Sequence, residues 1–179
     1  MIRLFAAIPV PQELHPTLHA RQTGVDGARW RDGEALHITL RFFGELREDV
    51  AADLDDALAA ISGEAFDLNL QGVGTFGEGL DVHVLWAGVS ESAQLQRLAR
   101  SCETAARRIG LKGERRSYKP HVTLAYLRGA DPTKLGAWVQ ANNLLKSPAF
   151  RVDWFGLYSS RLGRDGAAYT LEREYGLRS

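Results

Sequence analysis

The chain is poor in sulfur, with a single cysteine, Cys102. One thiol can form neither an internal disulfide nor a thiolate metal cluster, and such usage suits a reducing cytoplasm. Its setting, "RLARSCETAARR", is helical, where a small buried apolar role is expected. Excess charge is also missing. Lys plus Arg and Asp plus Glu number 22 each, so no long-range field draws the protein to nucleic acid or anionic membrane, and any polyanion must be held locally. No apolar run approaches the roughly 20 residues of a bilayer span. In "MIRLFAAIPVPQEL", prolines and a glutamate stand where a signal peptide would be cleaved, so this start is read as a first strand. No linker or low-complexity segment interrupts the chain. One domain over residues 1–179, built from two lobes, is expected.

Short strand-like and helical runs alternate. "RLFAAIPV" reads as a strand, and "PQELHPTLHARQTG" as a short helix or turn interrupted by Pro16. "EALHITLRFF" is a strand. The helix "REDVAADLDDALAAIS" follows it, with Val50, Leu54, Leu58 and Ile61 on one stripe and acids in its first turn. "AFDLNLQGVGTF" alternates Phe66, Leu68 and Leu70 against Asp67, Asn69 and Gln71, as a half-buried strand does. "DVHVLWAGV" is apolar on both faces and reads as central, and His83 is assigned to that sheet. "SAQLQRLARSCETAARRIG" has helical spacing and ends at Gly110. After "HVTLAYL" comes a helix around "DPTKLGAWVQANNLL". The chain closes on "AFRVDWFGLYSS" and "AAYTLERE", joined by "RLGRDG", whose Asp-Gly pair marks a turn.

Two stretches, "ALHITLRFFGEL" and "KPHVTLAYLRGA", both spell His, a β-branched residue, Thr, Leu, with His37 and His121 84 positions apart. At the same offset Phe42 meets Tyr126, Ala51 meets Leu135 and Leu54 meets Trp138, so each motif strand is followed by a similar turn and helix. This is the pattern of an internal duplication whose halves pack about an approximate two-fold. Equivalent residues then face each other across the join, and a monomer is expected because the two halves already supply a cleft.

On a strand, alternate side chains share a face, so His37 goes with Thr39 and His121 with Thr123, while Ile38, Leu40, Val122 and Leu124 anchor the other side. Histidine, with an ordinary pKa of about 6.5, serves as acid or base near neutrality. A pair of them can take a proton from a nucleophile and return one to a leaving group. The threonine hydroxyls suit the non-bridging oxygens of a phosphoryl group. The arrangement fits attack on a phosphodiester without a metal. His15 and His19 lie four apart but lack a third ligand, so no metal site and no cofactor is expected.

On these motifs and their flanks, "RLFAAIPVP", "RSYKPHVTLAY" and "LYSSRLGRDGAAYTLEREYGL", the sequence resembles the 2H phosphoesterase superfamily. Within it, the likeness is to the bacterial and archaeal RNA 2′,3′-cyclic phosphodiesterases, also called 2′-5′ RNA ligases. The resemblance implies an α/β (α+β) fold of two pseudo-symmetric lobes whose antiparallel-type sheets line a central groove. It implies hydrolysis of RNA 2′,3′-cyclic phosphate ends to 2′-phosphomonoesters, with neither metal nor ATP, and reversible 2′-5′ joining of RNA ends by the same chemistry. It casts His37 as proton donor and His121 as proton acceptor, with Thr39 and Thr123 on the phosphate oxygens. The nearly symmetric halves leave the two histidine roles interchangeable.

Around this centre, alternation puts Arg41 on the face of His37, and Phe43 follows it, offering a cation and a ring to a nucleotide or, for Phe43, to the core. Arg116 and Tyr118 precede the second motif in the family's order, and Arg116 is expected to touch phosphate. The cluster Arg107, Arg108, Lys112, Arg115, Arg116 and Lys119 either tracks an RNA backbone or forms an ordinary solvated helix end. Where many relatives carry Arg, this chain has Tyr126, and Arg128 or Arg161 would have to compensate. Two alternatives stay open: a hydrolase of small cyclic phosphates or 2′-5′ oligonucleotides, and a non-catalytic module that grips RNA ends.

Overall fold

The computed structural model describes all residues, 1–179. Ten strands and four helices run in the order β1 (Ile2–Pro9), α1 (His15–His19), β2 (Arg29–Trp30), β3 (His37–Leu46), α2 (Glu48–Ala59), β4 (Phe66–Leu68), β5 (Leu70–Phe76), β6 (Val84–Val89), α3 (Ala93–Arg108), β7 (His121–Tyr126), α4 (Pro132–Asn142), β8 (Phe150–Val152), β9 (Trp154–Gly163) and β10 (Gly166–Gly176). Eight strands form one antiparallel sheet ordered β10-β9-β1-β3-β7-β6-β5, with β2 also on β7, while β4 and β8 pair separately. No helix is long and apolar enough to cross a membrane.

The sheet is two half-sheets joined at β3 and β7, and that seam carries one register pair, Ile38 with Val122. These are the residues related by the 84-residue offset, so the approximate two-fold passes between them. Antiparallel register carried one residue outward sets His37 across from Thr123 and Thr39 across from His121. Both motif strands lead into a helix, β3 into α2 and β7 into α4, with Leu54 and Trp138 buried at equivalent places.

The buried faces of the four helices join Ala6, Ile8, Ile38, Leu40, Leu85, Ala87, Val122 and Leu124 of the sheet in one core. The helices thus cover one face, and the motif histidines and threonines, alternating with those core residues, stand on the other. α3 is capped by Ser92, whose hydroxyl accepts from the Leu95 backbone N–H at 3.1 Å, and Cys102 is fully buried on its inner side. Burial pushes that thiol up to about 12, so it stays an inert apolar filler.

Four elements differ from those the sequence predicts. Pro16 sits in the first turn of α1 and so starts the helix instead of interrupting it, because the proline's missing N–H has no partner to lose there. The run from Phe66 splits at Asn69 into β4 and β5, and the run from Phe150 splits at Asp153 into β8 and β9; in each case the two strands belong to different sheets. β2 is new, since two residues are too few to show a period.

With one register pair at the seam, Ile38 is both core and junction, and it is fully buried. Ile38→Ala is expected to cost about 2 to 5 kcal/mol, read as a lower urea midpoint at unchanged slope. A loss below about 1 kcal/mol would show that the seam is not packed as described.

Candidate functional site

A groove of about 580 Å³ runs over the exposed face of the sheet, and His37, Thr39, His121 and Thr123 all line it. The two-fold makes the surroundings of the imidazoles alike. His37 stacks on Phe5 at 5.0 Å between ring centres and meets Tyr169 edge-on at 5.4 Å. His121 meets Phe76 edge-on at 4.8 Å, with Trp86 at 6.4 Å. Gly74 makes the second cluster possible, because a Cβ there would lie 2.3 Å from the Trp86 ring.

Each imidazole is also held through Nδ1 by a main-chain carbonyl, that of Glu34 at 3.2 Å for His37 and that of Lys119 at 2.7 Å for His121. A carbonyl only accepts, so Nδ1 carries the hydrogen in both rings and Nε2 remains for a ligand. Neutral, Nε2 is a base; protonated, it is an acid. Burial, partly offset by the Glu34 carbonyl, lowers the His37 pKa to about 4, with further lowering from the positive charge of Arg31 and from His121. Burial likewise holds His121 below its ordinary value, against the Lys119 carbonyl. At pH 7 burial therefore keeps both rings neutral.

Cations and rings complete the walls. Phe42 and Tyr126, equivalents under the two-fold, both line the groove, and each carries a guanidinium: Arg3 lies 5.0 Å over Phe42 and Arg31 lies 5.5 Å over Tyr126. Arg31 is also 5.9 Å from the Tyr169 ring and donates to the Ala167 carbonyl at 3.5 Å. No carboxylate pairs with it, so its charge is free for an anion. Gly166, at the hairpin turn with φ +112°, lets that turn close on Arg31, whose Nη1 would sit 3.3 Å from a Cβ there.

The flanking residues fall elsewhere. Arg41 does not share the face of His37. In the pairing with β1, Ala7 meets Thr39 and Ala6 meets Arg41, so Leu40 is an extra, bulged residue that turns Arg41 to the helix side. There Arg41 pairs with Glu103 of α3 and donates to the Lys112 carbonyl at 2.7 Å. Phe43 is a second bulged residue and packs in the core, leaving Phe42 to face the groove. The Arg116 side chain is 91% exposed beside Glu114, outside the groove. Tyr118 does not line it either, but its hydroxyl donates at 2.8 Å to the Thr39 carbonyl and so fixes the motif strand from behind. Burial raises its pKa, keeping that donor protonated. Neither Arg128 nor Arg161 reaches the groove; the cation beside Tyr126 is Arg31. The alternation in "RWRD" was its only trace in the sequence, with Arg29 paired to Tyr126 and Arg31 continuing past Trp30.

A family model described as the 2′-5′ RNA ligase superfamily matches residues 10–164, most of the chain and all of this groove's motif residues. The chain belongs to that superfamily. Among superfamily relatives, the RNA 2′,3′-cyclic phosphodiesterase of Escherichia coli is 30% identical, the match covering 98% of this chain and 96% of the relative. That of Aeropyrum pernix is 40% identical over 55% of this chain and 57% of its own length. Among solved structures, Escherichia coli LigT complexed with 3′-AMP superposes with a TM-score of 0.81 at 28% identity, covering 99% of both chains.

Imidazole nitrogen NMR checks the electrostatics. His37 and His121 are expected in the Nδ1–H form at pH 7, both titrating below 6.5 and His37 near 4. Arg31→Ala should raise the His37 midpoint, and a midpoint that does not move would place Arg31 away from that ring. Because the folded His37 pKa is depressed, its contribution to stability is full above about 6.5 and is lost as the pH falls toward 4. The acid-induced loss should therefore be smaller in His37→Asn, measured by urea unfolding across that window.

Proposed function

We propose that the protein hydrolyses the 2′,3′-cyclic phosphodiester at an RNA end to a 2′-phosphomonoester. The observation that carries this reading is the pair of two-fold-related imidazoles, each tied back through Nδ1 and each free at Nε2 over one groove. In-line displacement at phosphorus needs a base on the side of the attacking oxygen and an acid on the side of the departing one. A two-fold axis through the reacting centre supplies both from one repeated motif.

In this mechanism His121 Nε2 takes a proton from water as the water oxygen bonds to phosphorus. His37 donates its Nε2 proton to the 3′-oxygen as the P–O3′ bond breaks. Thr39 and Thr123 donate to the non-bridging oxygens, and Arg31 neutralises charge that grows on them. An RNA 5′-hydroxyl in place of water gives a 2′-5′ linkage by the same steps. The donor takes its proton from solvent as the substrate binds, because an anionic phosphate between the rings raises both pKa values that burial depresses.

One observation favours the reverse assignment. His37 is the more strongly depressed ring, beside Arg31, and a neutral ring makes the better base. A substrate with sulfur at the bridging 3′ position decides, since thiolate departs without an acid: the donor's alanine variant keeps turnover and the acceptor's does not.

With EDTA present, wild type is expected to convert an RNA 2′,3′-cyclic phosphate to 2′-phosphate. His37→Ala and His121→Ala should each lose about 10² to 10⁴-fold in kcat with small changes in affinity. Binding without turnover by wild type would make the chain a module that grips RNA ends. Rate against pH should be bell-shaped. The kcat/KM profile of the free enzyme should centre below pH 6.5, and the kcat profile of the complex should lie at higher pH.

A further inference from the structure

Beside the groove lies a second hollow of about 430 Å³, lined by Arg41, Phe42, Phe43 and Gly44 of β3 and by residues 112–116 of the loop before β7. Phe42 borders both spaces, so the hollow continues the groove. The loop is fixed from below. The Glu103 carboxylate accepts from Arg41, from Arg107 at 2.9 Å and from the Glu114 backbone N–H at 3.0 Å. The Glu114 carboxylate in turn accepts from the backbone N–H groups of Arg115 and Arg116, at 2.9 and 3.0 Å. With the acids committed to this scaffold, Lys112, Arg115 and Arg116 point their charges to solvent along the rim. Only Arg116 has a carboxylate nearby, Glu114 at 3.7 Å. Phe42 is 42% exposed, unusual for a large apolar ring, and stands where the groove opens onto this row.

Resting on the function proposed above, we infer that this shelf binds the single-stranded body of the RNA, the nucleotides leading into the reacting end. A base stacks on Phe42, and successive phosphates lie against Lys112, Arg115 and Arg116. A ring beside a line of cations on a preformed loop is the chemistry that holds single strands without reading sequence, since every base has a face to stack and every phosphate a charge. The preferred substrate is therefore an oligonucleotide with an unpaired end, and a lone cyclic nucleotide fills the groove only.

The test compares a nucleoside 2′,3′-cyclic phosphate with a single-stranded RNA of about ten nucleotides carrying the same end, for wild type and Lys112→Ala/Arg115→Ala. The double variant should lose about tenfold or more in kcat/KM on the RNA at low salt and stay within about twofold on the mononucleotide, which also reports correct folding. Log kcat/KM for the RNA should fall less steeply with log salt in the variant, by about 0.7 for each phosphate contact removed. Equal changes on both substrates, or an unchanged salt slope, would overturn the shelf. No turnover of either substrate by wild type would instead sink the proposed function, a different result.

Discussion

The site depends on one strand pairing. β3 and β7 meet through the single pair of Ile38 and Val122, and both residues are fully buried. Every polar group of the groove floor lies within one residue of that pair along its strand. The positions of His37 and His121 relative to each other are thus set by backbone geometry and core packing, with no flexible loop between. Side chains placed on strands and supported from the helix side are held more firmly than side chains on loops. The same pairing imposes the two-fold, which sets two equivalent imidazoles from one repeated tetrad over a single groove.

What surrounds the imidazoles explains why they are neutral at pH 7. Aromatic clusters shield one part of each half-buried ring from water, and neighbouring positive charge adds to the effect at His37. The carbonyls at Nδ1 fix the tautomer and leave the outward nitrogen for a ligand. In the proposed mechanism, binding of an anion recruits the proton the chemistry needs. The same mechanism would draw specificity for an anionic centre from this protonation equilibrium and from the guanidinium of Arg31, which no carboxylate neutralises.

The two bulges in β3 divide its residues between two tasks. Leu40 turns Arg41 inward to Glu103, where it organises the loop before β7, and Phe43 turns inward to the core while Phe42 is left at the surface. A regular strand would have put Arg41 in the groove and left the loop untied. The basic residues of that loop are a surface feature, but their arrangement is set by an ion pair at the edge of the core.

The sequence by itself determined the fold family, most elements and the four motif residues, because period-two alternation around a repeated His-x-Thr-Leu fixes which side chains share a face. It also determined the two-fold, through the 84-residue offset that the Ile38–Val122 pair reproduces. Alternation fails at a bulge, and nothing in "TLRFFG" announces one, so the sides taken by Arg41, Phe42 and Phe43 were settled only by the register against β1. Nor could spacing bring Arg31, Tyr126 and Tyr169 together, since these come from three distant segments. Such contacts between remote segments, and the desolvation that moves the histidine pKa values, belong to the packed structure alone, because they arise from which surfaces lose water when the halves close on each other.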